Sequence, residues 1–254
     1  MTGAYAASSP AGQGGGALLL ALALTSALLA AQPYTAPRTP DGKPDLQGIW
    51  QARNTAAGNL EAHSASAGIR AGESVIVDPP DGKIPYQPWA AAQRDENFKN
   101  RATADPTSKC YLPGVPRVTY VPFPFQIFQT PQFVAIAYEY VHASRTIHLT
   151  SPKHLDRIEF WMGDSRGHWE GDTLVVDVAD NNAETWFDMS GNFHSEALNV
   201  VERYRRTSPD TLQYEATIED PKVFTRPWKI GMPLYLHREK NAQLYEYECH
   251  VYLN

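Results

Sequence analysis

The sequence predicts an all-β protein, mainly antiparallel, folded as a closed barrel or closed sandwich with one short helix and long N-terminal loops. Three observations carry this. From Val121 onward, β-branched and aromatic segments follow one another with short turns between them. In residues 212–219, Leu212, Tyr214, Ala216 and Ile218 alternate with Gln213, Glu215, Thr217 and Glu219, the period of a half-buried strand. The 20 prolines, 13 tyrosines and 6 tryptophans favour strands and turns over a helical bundle.

Taken in order, residues 1–31 hold no charged side chain, and 17–30 form an apolar run of signal-peptide length. That run is shorter than the roughly 20 residues that span a bilayer. The expectation is a signal peptide over 1–31, export to the periplasm or beyond, and no stable membrane span once it is removed. The region before the apolar run departs from the usual pattern, because it lacks Lys and Arg. Residues 32–44 are proline-rich and extended, and 45–254 form a single β-barrel domain. Within it, 54–72 reads as a loop, 74–78 as a short strand before the Pro79-Pro80-Asp81-Gly82 turn, and 86–100 as the helix, with Pro88 near its start. Residues 105–117 read as irregular. Pro122 and Pro124 place 121–130 at an edge or rim. Residues 133–141 and 145–149 form a hairpin about His142-Ala143-Ser144. A second hairpin joins 200–206 to 212–219, one or two strands lie in 222–236, and 244–253 closes the chain.

The stretch 161–178, W-M-G-D-S-R-G-H-W-E-G-D-T-L-V-V-D-V, is read as a tight β-corner with a charged loop at its mouth, feeding a strand at 173–178. Glycine reaches positive φ without steric cost, so Gly163, Gly167 and Gly171 mark turns. Arg166 either pairs internally with Asp164 or is presented to an anionic substrate group.

The net charge of −6 argues against a nucleic-acid partner and supplies no polybasic membrane patch. Motifs for a nucleophile elbow, P-loop, dinucleotide site or zinc protease are missing from the sequence. No cofactor is expected. Cys110 and Cys249 are the two cysteines; they read as a disulfide of an oxidising compartment or as two separate buried thiols.

Gly48-Ile49-Trp50 resembles the Gly-x-Trp that opens the first strand of lipocalins and the wider calycin group, which implies a barrel closed at one end by the Trp. Residues 39–50, 161–177, 191–203 and 218–228 together resemble a family of exported, largely uncharacterised bacterial proteins. That resemblance implies export and one β-rich domain, and it carries over no catalytic residue.

Candidate site residues come from polar groups set among aromatic ones. In 184–195, Trp186, Phe187 and Phe193 offer walls, with Asp188, Asn192 and His194 between them, a composition suited to a pocket mouth. His194 is read either as a general acid–base, if a carboxylate orients it, or as a loop histidine bonded to backbone. Val200, Glu202 and Tyr204 share one strand face, which parity leaves either inward or solvated. Glu139 is placed on a strand face with Phe133, Ala135, Ala137 and Val141. His142 and Arg145 flank the first turn, with His148 beyond, and a His/His/carboxylate metal site is a weighed alternative. Arg226, between Phe224 and Trp228, is ambiguous in the same way as Arg166. The functional expectation is acid–base chemistry of lyase, hydratase, isomerase or cyclase type on a small apolar or aromatic molecule. His194, Glu202, Glu139, Asp188 and Tyr204 would act, and Trp186, Phe187, Phe193, Asn192, His142, Arg145, Arg166 and Arg226 would bind. A non-catalytic periplasmic carrier is the second reading. The sequence leaves the oligomeric state open.

Overall fold

A computed structural model describes residues 34–155 and 158–250, with Met1, Gly3 and Ala4. The expected signal peptide falls, but for those three residues, outside the described ones. The fold belongs to the compact unit Tyr34–Asn254.

Its strands are β1 (Gly48–Ala52), β2 (Ile76–Asp78), β3 (Phe125–Gln129), β4 (Phe133–Tyr138), β5 (Ser144–His148), β6 (Asp164–Glu170), β7 (Thr173–Ala179), β8 (Asn199–Ser208), β9 (Thr211–Glu219) and β10 (Trp228–Leu236). Helix α1 (Pro88–Ala104) and the single turn α2 (Arg117–Tyr120) precede β3. The sheet runs β1-β3-β4-β5-β6-β7-β8-β9-β10 and closes where Trp50 pairs with Leu236 and Ala52 with Leu234. Nine strands thus form a closed, calycin-like barrel, and closure removes the open edges a flat sheet would expose. β2 pairs with the other half of β10. Among these strands every pairing is antiparallel except β5 with β6, which is parallel at Ile147–Ser165 and His148–Arg166.

The alternating residues become the interior. Leu212, Tyr214, Ala216 and Ile218 of β9 and Trp228, Ile230, Met232 and Leu234 of β10 are buried in one continuous core with Leu174, Val176 and Val178 of β7. Trp50 is fully buried, its indole Nε1 donating to the Leu46 carbonyl at 2.9 Å, and the Arg206 guanidinium sits 5.5 Å from the ring centre. A cation over the face of a Trp is attracted by the ring quadrupole. Arg206 also donates to the Asp45 carbonyl at 2.9 Å, so β8 pins the segment that leads into β1.

Several expectations need correction. The supposed charged loop Asp164-Ser165-Arg166 is the start of β6, and the corner is the two-residue turn Gly171-Asp172, with Gly171 at φ +57°. The earlier turn is real at Gly163, φ +63°, where a Cβ would meet Val178 Cγ1 at 2.6 Å. Residues 117–120 form α2, and bends at 121–123 leave the third strand at 125–129. β4 ends at Tyr138; Glu139 follows it, and Tyr140–His142 form a 3-10 turn. Residues 244–250 form no strand. The tail is held instead by a Cys110–Cys249 disulfide and by Tyr247, whose ring lies 4.5 Å from that of Phe123 and 5.4 Å from that of Tyr140.

Candidate functional site

The antiparallel neighbours of β8 turn Glu202 and Tyr204 into the barrel, because Glu202 pairs with Val176 and Ala216, both fully buried. Arg145 enters from β5, where it stands opposite Ile136. Its Nη2 donates to Glu202 Oε2, and its Nε donates to Ser165 Oγ at 2.7 Å. Glu202 Oε1 accepts from Tyr204 at 3.0 Å and Tyr214 at 2.8 Å. Burial, and then the Glu202 charge, hold both phenols well above their usual range, so they stay protonated donors. Burial by itself would lower the Arg145 pKa; the facing carboxylate outweighs it and holds the guanidinium charged. The result is a neutral polar cluster of five side chains inside an apolar barrel.

Beside it the wall opens. β5 and β6 pair at two positions, so residues 144–146 have β4 on one side and, among the described residues, no strand partner on the other. A cleft of about 470 Å³ occupies this splay. Leu112, Phe160, Trp161 and Met162 supply apolar surface; Ser144, Arg145, Thr146, His148, Glu159 and Ser165 supply polar surface. Arg145 and Ser165 line the cleft and bond to each other across the splay. Cleft and buried cluster therefore share two residues. The volume and the mixed lining are those of a small-molecule site.

No family model matches the chain. No curated protein and no solved structure matches it either.

The remaining predicted residues lie elsewhere. His194 is buried, with Nδ1 donating to the Ser195 carbonyl at 2.9 Å and Nε2 accepting from Thr185 at 2.7 Å. Burial lowers its pKa, so the ring is neutral, and its bonded partners are a carbonyl and a hydroxyl rather than a carboxylate. Asp188 is fully buried and accepts from Leu60 N at 2.9 Å, Ser190 N at 2.9 Å and Asn192 Nδ2 at 2.6 Å. Burial pushes its pKa up to about 6 against those donors. Phe187 packs edge-on against Trp228, and Trp186 bridges to Phe193. Asn192 accepts from the Tyr86 hydroxyl at 3.0 Å. This loop is a packed plug, with its polar groups spent on backbone and neighbours.

Glu139 accepts from Tyr245 N at 2.7 Å, and His142 pairs with Glu248 at 2.8 Å; both hold the C-terminal tail. Arg226 makes a two-pronged, half-exposed pair with Asp78, tying β2 to the approach to β10. Arg166 donates to Asp164 Oδ2 at 2.8 Å, which favours the internal pairing over presentation to an anion. The expected convergence of His194, Glu139 and Glu202 is not built: among the described residues they share no bonded partner. Arg145, Glu202 and Tyr204 are brought together.

His154, Asp164 and Asp180 place ligand atoms within 4.8 Å of one another. Arg166 already supplies positive charge to the same Asp164 oxygen that faces His154 Nδ1 at 3.0 Å, and His154 Nε2 faces Asp177 at 3.2 Å. A divalent ion would share Asp164 with that guanidinium. The donor set thus fits an ion-paired clasp better than a metal centre.

Sequence reasoning missed Tyr214 and Ser165. The first was legible in principle: a tyrosine on the clean apolar face of β9 needs a buried partner for its hydroxyl.

Proposed function

We propose that the protein is an exported binder of a small, largely apolar or aromatic molecule, held in the cleft between β5 and β6. One observation carries this reading: an apolar-walled cleft of about 470 Å³ shares Arg145 and Ser165 with a neutral polar cluster. Such a site buries a ligand's apolar body and orients it by a few placed polar groups. Binding is favoured over the acid–base reading because His194, Asp188 and Glu139 are each committed to structural hydrogen bonds away from the cleft. A catalytic form of the same proposal would rely on His148 and Glu159, the titratable side chains that line the cleft beside Arg145 and Asp164.

The test is a thermal-shift screen of single-ring and fused-ring aromatics against the full chain. Binding to the folded state raises the melting temperature with ligand concentration. A concentration-dependent rise with at least one compound class is expected. A flat response across the panel would overturn the reading.

A further inference from the structure

One feature of the interior is left unexplained by packing. Three buried polar atoms, Arg145 Nη1, Tyr138 Oη and Thr119 Oγ1, have no hydrogen-bond partner among the described residues. They are neighbours that reach one another without a well-aligned bond: the Tyr138 hydroxyl makes loose polar contacts with both Arg145 and Thr119, and Thr119 another with the Tyr204 hydroxyl. Thr119 is fully buried, Tyr138 is 4% exposed and Arg145 5%. A buried donor left unbonded costs about 1–3 kcal/mol, and three loosely contacting groups together leave room for a better-aligned acceptor.

Charge decides what kind of acceptor fits. Arg145 is already neutralised by Glu202, and the surrounding phenols are protonated. An anion added here would be a second negative charge buried beside Glu202. A neutral oxygen meets no such penalty. Arg145 Nη1 can only donate, and the Tyr and Thr hydroxyls can rotate to donate. Arg145 also lines the cleft, so one of the three residues borders the space offered to the ligand.

We infer that Arg145, Tyr138 and Thr119 form a subsite for a neutral carbonyl oxygen of the molecule held in the cleft. The inference rests on the cleft being the binding site, and it narrows the ligand class to uncharged aromatic or apolar ketones, aldehydes and amides.

The test compares acetophenone, ethylbenzene and benzoate, three single-ring probes of similar size, on the full chain by calorimetric titration. Acetophenone should bind about tenfold more tightly than ethylbenzene, the effect of one or two added hydrogen bonds, and benzoate should bind worst. The infrared carbonyl band of bound acetophenone should fall below its position in water. In Tyr138→Phe and Thr119→Val the preference over ethylbenzene should shrink and the band should move back. Each removes a hydroxyl that makes no well-aligned hydrogen bond in the free protein, so the melting temperature of the free variants should fall little. Equal affinity for acetophenone and ethylbenzene, meaning that a water stays in the subsite, would overturn this inference while leaving the cleft intact. Benzoate binding best would also overturn it. If none of the three probes binds, the cleft reading and this one fall together.

Discussion

Arg145 on β5 donates from Nη2 to Glu202 on β8, and neither side chain is more than 2% exposed. The pair spans the barrel interior across a separation of 57 residues, so it reports directly on closure. Removing one partner of a buried pair strands the other charge, at a cost of about 3–5 kcal/mol. Arg145→Met and Glu202→Leu should each destabilise by that order in urea unfolding. The double variant should recover part of the loss, since no charge is then left alone, although Tyr204 and Tyr214 lose their acceptor. Additive losses would mean the two side chains do not act as a unit.

Asp188 sets the pH dependence of the loop that packs against Trp228. Its folded pKa is about 6 and its ordinary value is 3.8. Between these values the unfolded chain has released the proton while the folded chain keeps it. Raising the pH through this window therefore favours unfolding. The contribution is full below pH 3.8 and is lost as pH climbs past about 6, by about 3 kcal/mol at most. Asp188→Asn should be less stable overall, yet its stability should change less between pH 4.5 and 7 than that of the wild type. Parallel profiles for the two proteins in urea melts would show that Asp188 does not carry the dependence.

The Cys110–Cys249 bridge closes a separation of 139 residues. By chain entropy such a loop contributes about 5 kcal/mol as an upper bound. Cys249→Ser should therefore lower stability substantially. It should also release Tyr247 from Phe123 and Tyr140, which near-ultraviolet circular dichroism would register. An unchanged spectrum together with unchanged stability would show that Glu139 and His142 hold the tail without the bridge.

The architecture was largely legible because β9 alternates without a break, and its inward residues are all fully buried. The 161–178 block was misjudged because Asp164, Ser165 and Arg166 look like loop residues. As the start of β6 they are satisfied by partners distant in sequence, such as Arg145 for Ser165 and Ser151 for Arg166. Glu202 was undecidable by parity, since an ion pair with a residue from another strand is what makes its burial tolerable. Cys110 and Cys249 could be counted, but whether their Cα atoms approach to 5.6 Å depends on the tail's path. The cleft was illegible for the same reason. It exists because one parallel pairing covers just two positions, and no local pattern encodes that splay.

Thr146 offers a test of whether the β5–β6 splay holds a small molecule. It is exposed on β5 and lines the cleft, so Thr146→Trp should fill the space without disturbing the core. An aromatic compound found by thermal shift is titrated calorimetrically into wild type and variant. The predicted result is one saturable site in the wild type, weakened at least about tenfold in Thr146→Trp with an unchanged melting temperature. Equal affinity in both proteins would place the ligand elsewhere and contradict binding in the splay.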